Sequence, residues 1–226
     1  MEKLSYLQQY FICVVNEKGN IPIIKGMSVA ACLVVGEITE LISRGYVIWD
    51  EKNRLSVAKP FDDSLTYLKP IYETIAYFKK SEDVMRIVDM YASNIRLPGN
   101  YRKSLNDLLS PIGNSLAAVG CVSELPKKGL LRKGTKYAPK PEVVTHIIEK
   151  IRMEFLENNV ITDETLCLVA LLDKSDIIRN YFSMAETTFL KKRMKEARKS
   201  AAHASVKKIL DYVDDVTKII STLNWG

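Results

Sequence analysis

Apolar residues recur every three or four positions from the start of the chain. Leu4, Leu7, Phe11, Val14 and Val15 make one stripe, the mark of an amphipathic helix. Asn16–Asn20 interrupts it as a polar turn, and Ile21–Ile24 reads as a short extended piece. Ser28 is the expected cap of a helix running to Ser43. Over Val29–Val35 that helix is apolar nearly all round, which predicts a central helix covered by others. Gly45 is its expected stop. Tyr46–Trp49 and Arg54–Val57 flank the polar turn Asp50–Asn53 and predict a β-hairpin. Helix resumes over Asp62–Lys79, with Pro70 as a kink or boundary. Ser81 is the expected cap of a helix over Glu82–Ala92, and Leu97–Asn100 is a loop. Tyr101–Val119 is helical, with a break expected near Pro111–Gly113.

The pattern then recurs. A helix ends at Gly120, a second β-like segment follows, and Lys140-Pro141 closes it as Lys59-Pro60 closes the first. Duplication and shared local grammar both account for two copies. From Glu142 the chain reads as helical to its end, interrupted near Asn158-Asn159 and Arg179–Ser183. Val143, Val144, Ile147, Ile148, Ile151 and Phe155 form one stripe, and Val206 to Leu223 carries another. Thr162 heads a helix over Leu166–Leu172. No linker divides the chain, so residues 1–226 read as a single, mainly α domain with one or two β-hairpins.

Composition is that of an ordinary globular protein, with 47% apolar residues, enough to bury a full core without staples. Lys and Arg number 33 against 27 Asp and Glu, a net charge of +6 that favours an anionic partner. The longest apolar stretch, Met27–Gly36, is followed by Glu37 and Glu40. It is about half the roughly 20 residues of a spanning helix. The N-terminal residues show no signal-peptide pattern. A soluble cytoplasmic chain, at most peripheral on a membrane surface, is the expectation.

Catalysis finds no support in the motifs. Cys13, Cys32, Cys121 and Cys167 lack paired spacing and read as buried thiols rather than a metal site. His146 and His203 have no ligand partner at suitable spacing. Phosphate-cradling glycine loops and nucleophile elbows are missing. Asp62-Asp63 reads as a cap and Asp214-Asp215 as a solvated face. The expectation is no enzyme, no cofactor and no metal.

Two basic clusters remain. Lys127, Lys128, Arg132, Lys133, Lys136 and Lys140 occupy one acid-free segment, with Leu130-Leu131 at its middle. A hairpin of that composition suits an anionic membrane, each cation contributing roughly 1 kcal/mol near such a surface. It also suits a winged-helix wing on nucleic-acid phosphates. A solvated hairpin whose leucines pack on its own domain or a dimer mate explains the same residues. The nucleic-acid reading is the weaker functional one, because Val29–Ser43 is too apolar for a groove and Leu105–Val119 carries no Lys or Arg. The second cluster, Lys191-Lys192-Arg193, Lys195, Arg198-Lys199 and then Lys207-Lys208, reads as a solvated helix face.

Leu4, Leu7–Phe11, Val15–Gly19, Gly36–Val47, Leu116–Pro141 and Thr162–Leu172, taken in order, resemble the Golgi phosphoprotein 3 family, and the resemblance runs over nearly the whole chain, from Leu4 to Leu223. The resemblance implies a central helical bundle ringed by amphipathic helices, with a β-hairpin used in membrane contact and self-association. It also implies a non-enzymatic adaptor on the cytoplasmic face of the Golgi in eukaryotes, binding phosphatidylinositol 4-phosphate. The sequence starts close to the first matched string and so resembles a short, stand-alone member. The family's headgroup pocket uses a tryptophan and arginines, whereas Ile24–Val34 holds Lys25 and neither of those, and Asn106–Pro111 holds no arginine. Lys25, Arg102 and Lys103 are therefore the headgroup candidates. Lys127, Lys128, Leu130, Leu131, Arg132, Lys133 and Lys136 are the membrane or oligomer candidates. Lysine lacks arginine's bidentate fork for phosphate, so generic anionic-membrane association is expected ahead of phosphoinositide reading.

Overall fold

The computed structural model describes residues 3–22, 25–50, 52, 54–78, 81–84, 86, 87, 91, 101–126, 134–157, 159–199, 207, 210, 211, 213 and 214, with the helix backbone alone over 101–107. The fold is mainly α with small antiparallel sheets. Helix α1 (Tyr6–Val14) starts at a capping box. Ser5 Oγ accepts from Gln8 N, and Gln8 Oε1 accepts from Ser5 N, which satisfies two of the free donors at the helix start.

Helix α2 (Gly26–Ser43) starts two residues before the expected cap. Ser28 lies inside it, its hydroxyl donating to the Lys25 carbonyl. At 18 residues α2 is long and apolar enough to cross a membrane by length and composition, but 78% of it is buried in the fold. Helices packed around it do the covering, so α2 is a core helix: Val29, Ala30, Leu33, Val34 and Leu41 have no exposed surface. Each such large aliphatic side chain contributes roughly 1.5–3 kcal/mol on burial.

Strands β1 (Val47–Trp49) and β2 (Arg54–Val57) pair antiparallel as expected, Val47 opposite Val57. A 3-10 segment (Asp63–Leu68) capped by Asp62 leads into α3 (Lys69–Tyr77), where Pro70 stands in the first turn and marks a boundary, not a kink. Ser81 does not cap a helix over Glu82–Ala92. Glu82–Asp83 is β3, pairing with Arg54–Leu55 of β2, and helical residues begin at Val84. Helix α4 (Tyr101–Ala118) runs unbroken through Pro111, where a break was expected. Strands β4 (Val122–Pro126) and β5 (Thr135–Pro139) form the second hairpin, in register from Val122 opposite Pro139 to Pro126 opposite Thr135.

The two helix-to-hairpin junctions share one geometry. Gly45 (φ +73) donates to the Ile42 carbonyl and Tyr46 to the Leu41 carbonyl. Gly120 (φ +71) and Cys121 do the same to Ala117 and Leu116. Both are Schellman endings, in which a residue at positive φ satisfies the last carbonyls. Helix α5 (Pro141–Phe155), helix α6 (Asp163–Lys174, capped by Thr162), a 3-10 turn (Ile178–Asn180) and helix α7 (Met184–Lys199) complete the described elements. The stripe expected over Val206–Leu223 lies largely outside the described residues, though Leu210 and Val213 are buried.

All four cysteines are buried, and burial pushes the thiols of Cys13, Cys32 and Cys167 up to about 12. They stay protonated at neutral pH, which suits packing rather than nucleophilic chemistry. Asp62 is a cap, as expected. Asp214 is not a solvated residue: it bridges Lys174, 2.6 Å away, and Arg198.

Candidate functional site

The start of α2 has the chemistry of an anion-attracting end. Its N-cap, Lys25, makes no side-chain cap, and the first turn carries no acid. Free N–H groups and the positive end of the helix dipole therefore meet there. Lys25 Nζ is 2.9 Å from Asp176 Oδ2 and also donates to the Asp176 carbonyl. Asp176 follows α6 at φ +54, a conformation open to Asp and Asn more than to most residues. Arg179 Nε lies 3.1 Å from the other Asp176 oxygen. Two cations thus share one carboxylate beside the helix start, leaving a local excess of one positive charge.

Of the three headgroup candidates, Lys25 stands in this cluster. Arg102 and Lys103 occupy the first turn of α4, and their side chains lie outside the described residues. Asp176 and Arg179 were not singled out in the sequence. Their partner is about 150 positions away, and no local pattern reports such a pairing; the only hint is a polar Asp just beyond a helix end.

The second candidate is the β4–β5 hairpin. Lys127, Lys128, Leu130, Leu131, Arg132 and Lys133 lie outside the described residues. They connect strand ends that are described in detail. Lys136 Nζ donates to Asn20 Oδ1 at 2.6 Å, tying β5 to the loop after α1. Tyr137 sits edge-on to Phe11, with ring centroids 6.5 Å apart, and its hydroxyl bonds to Asn114. The ring lies so close to α4 that a Cβ at Gly113 would stand 2.3 Å from it. Glycine at 113 is what lets the hairpin base seat against α4. The base is therefore fixed by three separate elements, while the acid-free run 127–133 joins its ends.

The basic helix α7 is partly neutralised. Lys191 pairs with Asp173 at 2.9 Å and Arg198 with Asp214. Lys192, Lys195 and Lys199 are exposed, in keeping with a solvated face.

No curated protein matches the chain. The family model described as Golgi phosphoprotein 3 (GPP34) matches residues 8–213, nearly the whole length. With that span, and with a mainly helical fold carrying short hairpins, the chain belongs to the Golgi phosphoprotein 3 family.

Proposed function

We propose that this protein is a non-enzymatic peripheral adaptor that docks on anionic membranes through the segment joining β4 and β5. Family membership suggests a Golgi-associated lipid- or protein-binding adaptor and agrees with a non-enzymatic role. The observation that carries the membrane reading is the hairpin base. Tyr137, Gly113 and the five-pair β4–β5 register hold fixed strand ends. Between them the run 127–133 carries four cations, two leucines and no acid. Four cations near an anionic surface supply roughly 4 kcal/mol, weakening with salt. Two leucines entering the acyl boundary add to that. The cluster of Lys25 and Arg179 beside the start of α2 is a secondary anion contact, and Asp176 limits its strength. The cellular location under this reading is cytoplasmic and peripheral on a membrane, the Golgi face in a eukaryotic cell.

Vesicle binding by single-leucine variants tests the hairpin. Leu130→Asp and Leu131→Asp are each expected to weaken binding to phosphatidylserine vesicles by about tenfold or more, as each replaces an apolar insertion with a repelled charge. Binding equal to wild type in both variants overturns the hairpin mechanism. Concentration-dependent mass with no vesicle binding points instead to a scaffold that self-associates through the hairpin.

A further inference from the structure

A cleft of about 880 Å³ opens at the opposite end of α2 from Lys25, between the start of α1, the α2–β1 junction and the start of α6. That volume falls in the range of small-molecule sites, which are lined mainly by apolar and aromatic side chains. Leu4, Tyr6, Val47, Trp49 and Cys167 give it such walls. Ile48 lines it as well and is 55% exposed, a large aliphatic side chain left in water. Polar side chains of the wall are engaged inside the fold. The Tyr6 hydroxyl bonds to Thr39 Oγ1 at 2.7 Å and to the Gly36 carbonyl at 3.2 Å. Ser5 Oγ accepts from Gln8 N, and the Ser43 hydroxyl donates to the Glu40 carbonyl at 2.9 Å.

The charges of the wall are matched too. Lys3 pairs with Glu164 at 3.0 Å, and Arg44 with Glu40 at 2.7 Å. Glu40 is 2% exposed, and its Oε1 also accepts from Tyr67, so its charge is neutralised behind the wall. Asp163 has interactions of its own. It stands with Glu164 in the first turn of α6, where the positive end of the helix favours both carboxylates. Arg44 follows α2 and meets its negative, C-terminal end. An ion entering this cleft would leave water without a counter-charge to receive it, which is costly. An uncharged molecule meets no such cost, and the apolar walls favour its transfer from water. We infer that this cleft binds an uncharged aliphatic molecule of the long-chain alcohol type, its chain lying against Leu4, Val47 and Trp49. The lining residues belong neither to the β4–β5 hairpin nor to the Lys25 cluster, and the test does not depend on membrane docking.

Trp49 and Trp225 are the two tryptophans of the chain, so Trp225→Phe leaves Trp49 as the reporter. Octanol, octylamine and octanoate share one chain length and are neutral, cationic and anionic near neutral pH. Each is titrated against that protein without vesicles and followed by Trp49 fluorescence and calorimetry. Saturable octanol binding is expected, about tenfold or more tighter than either ion, since each ion gives up its hydration without a partner. Ile48→Asp sets an unmatched carboxylate on the wall at a position exposed enough to accept it. It is expected to weaken octanol binding about tenfold and to bring octylamine level with octanol or past it. Should Ile48→Asp fail to fold, the order of the three ligands on the reporter protein decides. No saturable octanol binding, either ion equal to octanol in the reporter protein, or octanol binding unchanged in folded Ile48→Asp overturns the inference.

Discussion

Lys25 Nζ and Asp176 Oδ2 lie 2.9 Å apart, an ion pair that joins the first residue before α2 to the turn after α6. The pair places a carboxylate between Lys25 and Arg179, beside a helix start that carries no acid of its own. Half of the Asp176 side chain is exposed, at 53%, so the pair contributes little to stability, about 0–1 kcal/mol. Its larger effect is electrostatic, because it offsets a cation beside an uncapped helix start.

Asp176→Asn is therefore expected to strengthen binding to anionic vesicles. Asparagine accepts the φ of +54 that Asp176 adopts. Removing the charge frees roughly 1 kcal/mol of surface attraction, about fivefold in partitioning. Vesicle titration of wild type and variant in low salt measures it, and urea unfolding is expected to differ by less than about 1 kcal/mol.

Gly113→Ala tests the seating of the hairpin. The new Cβ would lie 2.3 Å from the Tyr137 ring, which is fixed by its hydroxyl bond to Asn114. Overpacking of that kind costs about 1–3 kcal/mol. The variant is expected to lower the urea midpoint and also to weaken vesicle binding, although residue 113 is far in sequence from the basic run. Loss of stability with intact vesicle binding would separate the hairpin base from docking.

Glu37 controls a pH response inside the core. It is 1% exposed, and burial, with Glu40 close by, raises its carboxyl well above the ordinary 4.5. The native chain keeps a proton that the unfolded chain releases above that value. Its contribution to stability therefore falls as pH rises through the window between 4.5 and the native value, and is greatest below it. Glu37→Gln removes that slope. Its melting temperature is expected to exceed that of wild type by several degrees near neutral pH, with the gap closing as pH falls towards 4.5. A gap independent of pH would contradict a protonated native Glu37.

Asp214 acts in the opposite sense. Burial raises its carboxyl, but hydrogen bonds from Arg198 and Lys174 outweigh this and hold it below 3.8. Its contribution is present above 3.8 and lost as pH falls through the native value. Asp214→Asn is expected to cost about 1–3 kcal/mol near neutral pH, because the shared negative charge is lost and one of the two oxygens that Lys174 and Arg198 use becomes an amide donor. Denaturation at several pH values checks that the difference from wild type disappears in strong acid.

Elements governed by local pattern were legible in the sequence. The stripe of Leu7 and Phe11, the apolar run of α2, the Gly45 and Gly120 endings and both hairpins follow from spacing within a few residues. Features set by distant partners were not. Glu82–Asp83 carries a Ser81 cap signal yet pairs with β2 because Arg54 and Leu55 offer a free strand edge. Pro111 reads as a breaker, but packing of Leu108, Ile112 and Leu116 in the core holds α4 together. Asp214 reads as a surface acid because its two cations, Lys174 and Arg198, stand on separate helices. The candidate site divides the same way. Lys25 and the basic hairpin are visible as residues, whereas Asp176, Arg179 and the cleft at Glu40 exist only once α2 and α6 are side by side.

The central claim is charge-driven docking without headgroup selection. Co-sedimentation with neutral, phosphatidylserine and phosphatidylinositol 4-phosphate vesicles, the last two at matched surface charge and all at low and high salt, tests it most directly. The account predicts no binding to neutral vesicles, equal binding to both anionic vesicles at low salt, and loss of both at high salt, where screening shortens the reach of the Lys127–Lys133 cations. Binding that requires the phosphoinositide at matched charge, or no binding to any vesicle, would contradict it.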